Sequence, residues 1–595
     1  MKRGELLRTA SVAAGAFALP ATAAQPAPTA PDDAALDAFL AEQWAAYHRR
    51  SPEAASLDGD HAYDDAWSDP SAEAAAQEAA DAKAALAALE RFDPARLSET
   101  ARLNRELYAE RLRDTIRGYD LRVYRFALNQ RGGVQTDVAL VDDLRFATPD
   151  DYARWAARVE AWPRKVDAAI GVLREAVEAK MLWPRVVMER VPAQIDRQLV
   201  APERHPFFAP FERVPASLGA AGIAPLRERV RASIASGVLP ALRRLRAFLI
   251  DTYLPAAPVD VGIGRVPNGE AIYAYLLRTN TTTPMSAREI HALGEREVAR
   301  IRDEMAAVAP RTGYHGALAD VFRAMREDPE NYHADAPSLL EAYRALAKRI
   351  DPELVRFFRV LPRTPYGVAP IPAAIAPDTT TAYYQPLALD GSRAGTYCVN
   401  LYRPDQRPIY EMPVLTLHEA VPGHHLQFAL SAELGAMPSF RRAAYYVGFS
   451  EGWGLYAESL GDEIGVYDDA KAKLGALSYE MWRAVRLVVD TGMHAFGWSR
   501  DRAIAYFLDN AAKTRLDVVN EIDRYITDPG QACAYKVGQL KILELRERAR
   551  AALGARFDLR AFHEAVLGAG SLPLDVLERR VDAWLASPDP SAQRA

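Results

Sequence analysis

The most informative segment of this chain runs from residue 415 to residue 427 and reads LTLHEAVPGHHLQ. Three of the eleven histidines in the chain lie in it, at positions 418, 424 and 425. A His-Glu pair with a second histidine one turn later is typical of helices that bind zinc, because both imidazoles then lie on one face. Here the fourth residue after His418 is Pro422. The segment is either a metal site with an insertion or a coincidence.

Spacing alone leaves the second histidine of the pair open. On an ideal helix of about 100° per residue, His425 is nearly in line with His418, and His424 is displaced by about 120°. Pro422 disfavours an ideal helix, because proline removes a backbone hydrogen bond and clashes with the preceding turn. A bulge of two residues would instead bring His424 to the place of the missing histidine.

Carboxylates complete the chemistry that such a site needs. A zinc hydrolase requires a third ligand, an open position for water and a carboxylate base beside that water. Glu419 follows the first histidine, where the motif places the base. Downstream, SEGWGLYAE (450–458) carries Glu451 and Glu458, seven residues apart and hence on one helix face. We predict Glu451 as the third ligand and Glu458 as the residue that orients a histidine. The alternative is that both acids are surface residues, but interleaved aromatic residues favour burial.

Most of the chain is predicted to be helical. Residues 71–92 are rich in Ala, Glu and Lys, which favour helices. Thr148 and Ser286 are followed by patterns typical of a capped helix start. The segment 379–404 differs, because it is rich in Thr, Tyr and Val and has Asp390-Gly391 between two candidate strands. This pattern predicts a β-hairpin directly before the histidine-rich segment.

The composition excludes some classes of protein. The 595 residues carry a net charge of −6, so no basic surface for nucleic acid is expected. Hydrophobic residues make up 49% of the chain, as in ordinary globular proteins. No run reaches the ~18 apolar residues of a membrane span, so no stable membrane insertion is expected.

The N-terminus resembles a secretory signal peptide. Lys2 and Arg3 precede a short apolar run, and Ala21-Thr22-Ala23 fits a cleavage site. We predict a signal peptide over 1–24, a Pro/Ala-rich linker over 25–33, and a periplasmic or secreted protein. No cysteine follows the apolar run, so a lipid anchor is not expected.

Four motifs together resemble the bacterial domain-of-unknown-function 885 family. They are LTLHEAVPGHHLQ, SEGWGLYAE, RLVVDTGMHAFGWS (486–499) and RYITDPGQACAYKVGQ (524–539). The resemblance covers most of the chain and is densest from about 380 to 545. That family is in turn similar to the gluzincin metallopeptidases, which include thimet oligopeptidase, angiotensin-converting enzyme and bacterial carboxypeptidases of the same fold.

The gluzincin resemblance implies a mainly α fold with two lobes, a deep central channel and a small β-hairpin or sheet beside the metal helix. The helical domain would span 34–590, with an N-terminal lobe of about 34–280 and a catalytic lobe of about 281–590. The resemblance also implies Zn²⁺ as the cofactor, held by His418, His424 and Glu451, and it favours His424 over His425. The Val421-Pro422 insertion is the departure from the pattern.

The resemblance further implies a downstream tyrosine or histidine that stabilises the oxyanion. Tyr535 is the first candidate and His494 the second. The side chains predicted to support the ligands or contact substrate are His425, Glu458, Arg524, Tyr525, Gln531 and Lys536.

The expected function is zinc-dependent cleavage of short peptides by activated water, with Glu419 as general base. One alternative is a metal-dependent hydrolase of a non-peptide amide or ester. The other is a non-catalytic secreted protein that binds peptide or metal. Glu419 favours catalysis, because binding alone needs the ligands and not the base. The sequence leaves open the substrate length, the end that is cleaved and the oligomeric state.

Overall fold

The computed structural model describes residues 32–373, 376, 380–387, 393–435 and 437–587. The predicted signal peptide, all but the last two residues of the predicted linker, and the Asp390-Gly391 turn lie outside these residues. The prediction of a mainly helical fold is confirmed, and a small three-stranded sheet accompanies the helices.

The helices before the sheet are α1 (Asp33–Arg50), α2 (Pro52–Leu57), α3 (Ala72–Leu89), α4 (Glu99–Asp120), α5 (Leu140–Asp143), α6 (Pro149–Glu178), α7 (Arg185–Met188), α8 (Val191–Asp196), α9 (Ala220–Ser233), α10 (Leu239–Phe248), α11 (Leu254–Ala256), α12 (Gly269–Thr281), α13 (Ala287–Val308), α14 (Leu318–Glu327) and α15 (Ala336–Ile350). The strands are β1 (Tyr366–Pro370), β2 (Ala382–Gln385) and β3 (Gly395–Val399).

The helices after the sheet are α16 (Met412–Glu419), α17 (His424–Glu433), α18 (Ser439–Arg442), α19 (Val447–Ser459), α20 (Gly461–Ile464), α21 (Ala470–Phe496), α22 (Arg500–Asn510), α23 (Arg515–Thr527), α24 (Gln531–Leu553), α25 (Leu559–Leu567) and α26 (Leu574–Leu585).

The predicted helix starts are present where their capping residues indicated. Thr148 caps α6 and Ser286 caps α13, each in a capping box in which the third helical residue bonds back to the cap. The Ala-rich segment forms α3, whose cap is Ser71. Local sequence therefore determines where these helices begin.

The sheet contains the predicted hairpin pairing and one further strand. β2 pairs antiparallel with β3, as predicted, and β1 pairs parallel with the other edge of β3. The sequence of β1, YGVAP, did not indicate a strand, because Gly367 and Pro370 are both unfavourable within strands. β1 is an edge strand, where its proline is tolerated.

Two closely packed helix pairs form the frame around the histidine-rich segment. α21 is buried along most of its length and packs against α13. α19 is buried at every position from Gly448 to Glu458 and packs against α24. A Cβ atom on Gly538 of α24 would lie 1.9 Å from the carbonyl oxygen of Gly448, so only glycine permits this approach. The two helices are thereby held close enough for their side chains to share one site.

One hydrophobic core connects the described parts of the chain, from Leu36 in α1 to Trp584 in α26. Among the described helices, none combines the length and the apolar character that crossing a bilayer requires.

Candidate metal centre

The break between α16 and α17 determines which histidines meet. α16 ends at Glu419, and α17 begins at His424. Between them, the carbonyl oxygen of Pro422 accepts a hydrogen bond from Trp453 Nε1 at 2.8 Å. A Cβ atom on Gly423 would lie 1.9 Å from the carbonyl oxygen of His418, so the turn requires glycine. The two helices therefore meet at a tight corner that is held by α19.

Two histidines and one glutamate converge at this corner. One donor atom each of His418, His424 and Glu451 lies within 4.8 Å of the other two. Oε2 of Glu451 lies 3.5 Å from Nε2 of His418 and 3.5 Å from Nε2 of His424. All three side chains are buried. The structure thus brings together the three residues predicted as ligands.

The far side of His418 is fixed by a buried carboxylate. Nδ1 of His418 donates to Oε1 of Glu458 at 2.8 Å, and Arg483 donates to the same oxygen at 3.2 Å. With Nδ1 bonded to Glu458, Nε2 is the nitrogen that faces Glu451 and that a metal ion would use after displacing its proton. Nδ1 of His424 is buried and has no hydrogen-bond partner among the described residues.

The charges of the cluster are strongly coupled. Burial lowers the pKa of His418, but its contacts with Glu451 and Glu458 outweigh burial and raise the pKa to about 10. Burial raises the pKa of Glu451, but His424 and His418 hold it well below its usual range. The protein groups alone therefore favour a protonated histidine beside an ionised carboxylate. A metal ion that binds here must displace protons.

Glu419 is the half-buried last residue of α16, directly after His418. Its side chain forms no hydrogen bond or ion pair with another described residue, so its carboxylate is available to a water molecule or a substrate.

Sequence reasoning missed Tyr445, which contacts the cluster directly. Its hydroxyl donates to Oε1 of Glu451 at 2.7 Å, and its ring stacks on Phe428. Burial and the Glu451 carboxylate raise the pKa of Tyr445. Its side chain is nevertheless 47% exposed, so it forms the solvent-facing edge of the site. In the sequence, the one feature that could have indicated this contact is that Tyr445 lies six residues before Glu451.

His425 does not face the cluster. Nδ1 of His425 accepts from the Tyr384 hydroxyl at 3.1 Å, and Nε2 donates to the Thr364 carbonyl at 3.2 Å. Burial lowers the pKa of His425 to about 4, in keeping with a neutral ring. Both nitrogens attach α17 to β2 and to the segment before β1, so His424, and not His425, meets His418 and Glu451 at the corner.

Tyr535 lies beside the cluster, on α24. Burial and the Glu451 carboxylate raise its pKa, and its hydroxyl accepts from Gln531 at 3.5 Å. Oε1 of Gln531 accepts from Arg524 at 2.6 Å. Three of the residues predicted from one motif thus form a connected group next to the candidate ligands.

Tyr525 is fully buried within the protein. Its hydroxyl donates to Glu521 at 2.6 Å and accepts from Arg486 at 2.8 Å. Its hydroxyl is used by these two charged side chains, so Tyr525 positions Arg486 and Glu521.

His494 is a structural residue and does not act as an oxyanion donor. Its Nδ1 accepts from the Ile263 amide at 3.1 Å, and its Nε2 donates to the Tyr525 carbonyl at 2.9 Å. Burial lowers the pKa of His494 to about 4. No ring N–H remains for a substrate, so the prediction of His494 as the second candidate is wrong.

The prediction for Lys536 is also wrong. Its ammonium group is fully buried between Glu480 at 2.7 Å, Gln539 at 2.9 Å and Glu297 at 3.0 Å. Lys536 follows Tyr535 on α24 but lies about 100° further around the helix, on another face. It joins α24 to α13 and α21.

Residues 52–581 match the family described as bacterial protein of unknown function (DUF885). The chain belongs to the DUF885 family. Two solved structures are similar over almost their whole length. The first is described as a "putative lipoprotein" from Colwellia psychrerythraea and has a TM-score of 0.87 at 28% identity, covering 93% of this chain and 99% of that chain.

The second solved structure shows the same fold at greater sequence distance. It is described as a "putative lipoprotein" of unknown function from Shewanella oneidensis, with a TM-score of 0.73 at 18% identity, covering 92% of this chain and 99% of that chain. A search of curated proteins gives no match to this DUF885 chain.

The residues of the cluster fit a divalent metal ion chemically. Two imidazole nitrogens and one carboxylate oxygen form the donor set of zinc sites that keep a further position open. In zinc sites, a ligating histidine usually donates its other ring N–H to a carboxylate, which fixes the orientation of the ring. The bond from His418 to Glu458 has this form. The donor set thus suits zinc better than calcium or magnesium, which prefer oxygen ligands alone.

Proposed function

We propose that this DUF885 protein is a zinc-dependent hydrolase that cleaves short peptides. His418, His424 and Glu451 would hold the zinc ion, and Glu419 would act as general base. The observation that carries the proposal is the convergence of the three donor atoms within 4.8 Å, with Glu458 behind His418 and an unbonded Glu419 beside it.

The chemistry divides between the ion and the protein. A zinc ion bound by His418, His424 and Glu451 would supply Lewis acidity toward a water molecule and a substrate carbonyl. Glu419 accepts a proton from the attacking water and passes it to the leaving amine. The hydroxyl of Tyr535 donates to the oxygen on which negative charge develops. Tyr445 holds Glu451 in place through its hydrogen bond.

A two-lobed architecture with a central channel accords with this function. The gluzincin-like motifs and the burial of the cluster support it. A channel between an N-terminal lobe and a catalytic lobe would admit short peptides and exclude folded proteins.

An envelope or secreted location accords with the apolar N-terminal segment. It also accords with the description of the two similar structures as lipoproteins.

Metal content and turnover test the proposal together. We expect about one zinc per chain in the purified protein, with loss of zinc and of peptide cleavage in His418→Ala and Glu451→Ala. Glu419→Gln keeps the shape of the side chain and removes the base. It should retain zinc and lower turnover by about 10²- to 10⁴-fold.

Two outcomes would contradict this proposal. A protein that takes up no zinc, even when zinc is supplied, would exclude the metal centre. Hydrolysis of small amides or esters without cleavage of any peptide in a library of short sequences would keep the metal chemistry but replace the substrate class.

A further inference from the structure

Three arginines lie near Tyr535. Arg486 of α21 lies over the Tyr535 ring, with its guanidinium carbon 4.6 Å from the ring centroid. Arg524 of α23 bonds to Gln531, which contacts the Tyr535 hydroxyl. Arg131 comes from the loop before α5, which Gln130 attaches to α23. We refer to these three residues as the arginine cluster.

The arginine cluster contains unused donors. Nη1 of Arg486 is buried and has no hydrogen-bond partner among the described residues. The side chain of Arg131 is exposed and forms no ion pair or hydrogen bond within the described part of the chain. Neighbouring atoms partly desolvate its charged end, which lowers the pKa of Arg131, and the nearby charge of Arg524 lowers it further.

Protein carboxylates do not balance the arginine cluster. Oε2 of Glu521 accepts from Arg486 and from Arg524, each at 3.1 Å. Asp528 is the other nearby acid, and burial raises its pKa. Asp523 is occupied by Arg190 and Arg500. Three guanidinium groups thus face at most two carboxylates, while Arg486 is only 5% and Arg524 only 8% exposed. Positive charge that carboxylates do not balance, next to two buried guanidinium groups, is costly unless an anion binds there.

Tyr535 connects the arginine cluster to the candidate metal centre. One face of its ring is covered by Arg486, and burial together with the nearby Glu451 carboxylate raises the pKa of its hydroxyl. Tyr535 thus stands between the arginine cluster and the candidate ligands and contacts or influences both.

We propose that the arginine cluster binds the free C-terminal carboxylate of a peptide substrate, which would make this protein an exopeptidase that acts from the C-terminal end. The inference rests on the proposed function. A carboxylate is the anion that fits, because a guanidinium fork matches its two oxygens and forms charge-assisted hydrogen bonds. Arg486 is also enclosed by buried Tyr525, which accepts its hydrogen bond, and by the partly buried ring of Trp482, which packs against it. The substrate chain is therefore expected to end there.

Equilibrium binding tests this inference without relying on turnover. The probes are N-acetyl-Ala-Ala-Ala as the free acid and as the C-terminal amide, titrated calorimetrically into the Glu419→Gln protein. We expect the free acid to bind about 10- to 100-fold more tightly than the amide, the effect of a charged hydrogen-bonded pair. A third probe, N-acetyl-Ala-Asp-Ala amide, carries its carboxylate on a side chain and should bind as weakly as the neutral amide.

Two variants locate the effect. Arg131→Gln removes an exposed charge without breaking a bond in the described structure, and Arg486→Lys keeps the charge but loses the fork. Each should reduce the preference for the free acid at least ~5-fold while leaving amide binding unchanged. Arg244→Gln, which breaks a surface pair with Asp167, is the matched control and should bind like the parent.

Three results would overturn the inference. The first is equal affinity for the free acid and the amide. The second is tight binding of the aspartate-containing amide. The third is a loss of affinity in the arginine variants that is equally large for the free acid and the amide. A preference for the free acid in a protein that proves unable to hydrolyse peptides would keep this subsite and remove the proposed activity, so the two failures are distinguishable.

Discussion

Nδ1 of His418 lies 2.8 Å from Oε1 of Glu458, although 40 residues separate the two in the chain. This bond orients the imidazole so that its other nitrogen points toward Glu451. Carboxylates in this position typically change metal affinity by about 10- to 100-fold when they are removed. In the proposed metal centre, Glu458 would therefore orient a ligand without being one.

Glu458→Gln should therefore weaken zinc binding by about 10- to 100-fold without preventing the fold. The measurement is competition with a chelator of known zinc affinity. Glu433→Gln on α17 is the control, because Glu433 bonds to Arg363 and Thr364 instead of the cluster. Equal zinc affinity in the Glu458→Gln and Glu433→Gln proteins would show that the bond to His418 has no role in metal binding.

His424→Ala and His425→Ala should have opposite effects, although the residues are neighbours. His424→Ala removes a donor nitrogen of the cluster and should abolish stoichiometric zinc binding. His425→Ala should retain zinc but lower the free energy of unfolding by about 1–3 kcal/mol, because Tyr384 and the Thr364 carbonyl lose their partner. Zinc analysis and denaturant unfolding of both variants check this, and loss of zinc in His425→Ala alone would reverse the assignment of ligands.

The structural features that depend on local periodicity could be predicted from the sequence. Helix starts followed from Thr148 and Ser286, and the seven-residue spacing of Glu451 and Glu458 placed both acids on one helix face. These features depend on residues within two turns of one another, so propensity and spacing suffice.

What the sequence missed or misjudged depends on how distant elements pack. Arg131 lies in a loop far upstream, and nothing local connects it to Arg524. Lys536 and His494 belong to informative motifs, but adjacency in a motif does not determine which helix face meets the site. Both side chains point into the protein, where Glu480 and the Tyr525 carbonyl use their donors.

His494 should make the protein less stable in mild acid. Burial lowers its pKa to about 4 in the folded state, whereas an unfolded histidine has a pKa of about 6.5. The unfolded state then binds more protons below pH 6.5, so the contribution is complete above that pH and is lost as the pH falls toward 4. Between pH 7 and pH 5 the loss amounts to about 2 kcal/mol.

Replacement by a non-titrating residue isolates this effect. Denaturant unfolding gives the free energy of unfolding of the parent and of His494→Gln at pH 7 and at pH 5. At each pH, the value of the variant is subtracted from that of the parent. The difference at pH 5 should be smaller by about 2 kcal/mol. A difference that does not change with pH would mean that His494 is not neutral in the folded protein.

Gly454→Ala should weaken zinc binding by displacing the His418 ring. A Cβ atom on Gly454 of α19 would lie 2.6 Å from Cε1 of His418, well inside contact distance, so the imidazole must move. Because His418 sits between Glu458 and Glu451, any movement breaks one of these two contacts. We expect weaker zinc binding, by at least ~10-fold, in a protein that still folds.

Gly171→Ala is the matched control for this prediction. Gly171 lies within α6, and a Cβ atom there meets no other atom within 4 Å. Alanine at this position should leave zinc affinity unchanged and stabilise the helix by about 0.5–1 kcal/mol, because glycine is unfavourable in a helix interior. Zinc titration and thermal unfolding of the two variants separate the effects. Unchanged zinc affinity in Gly454→Ala would mean that the His418 ring can shift without loss of the site, and that its precise orientation by Glu458 is not required.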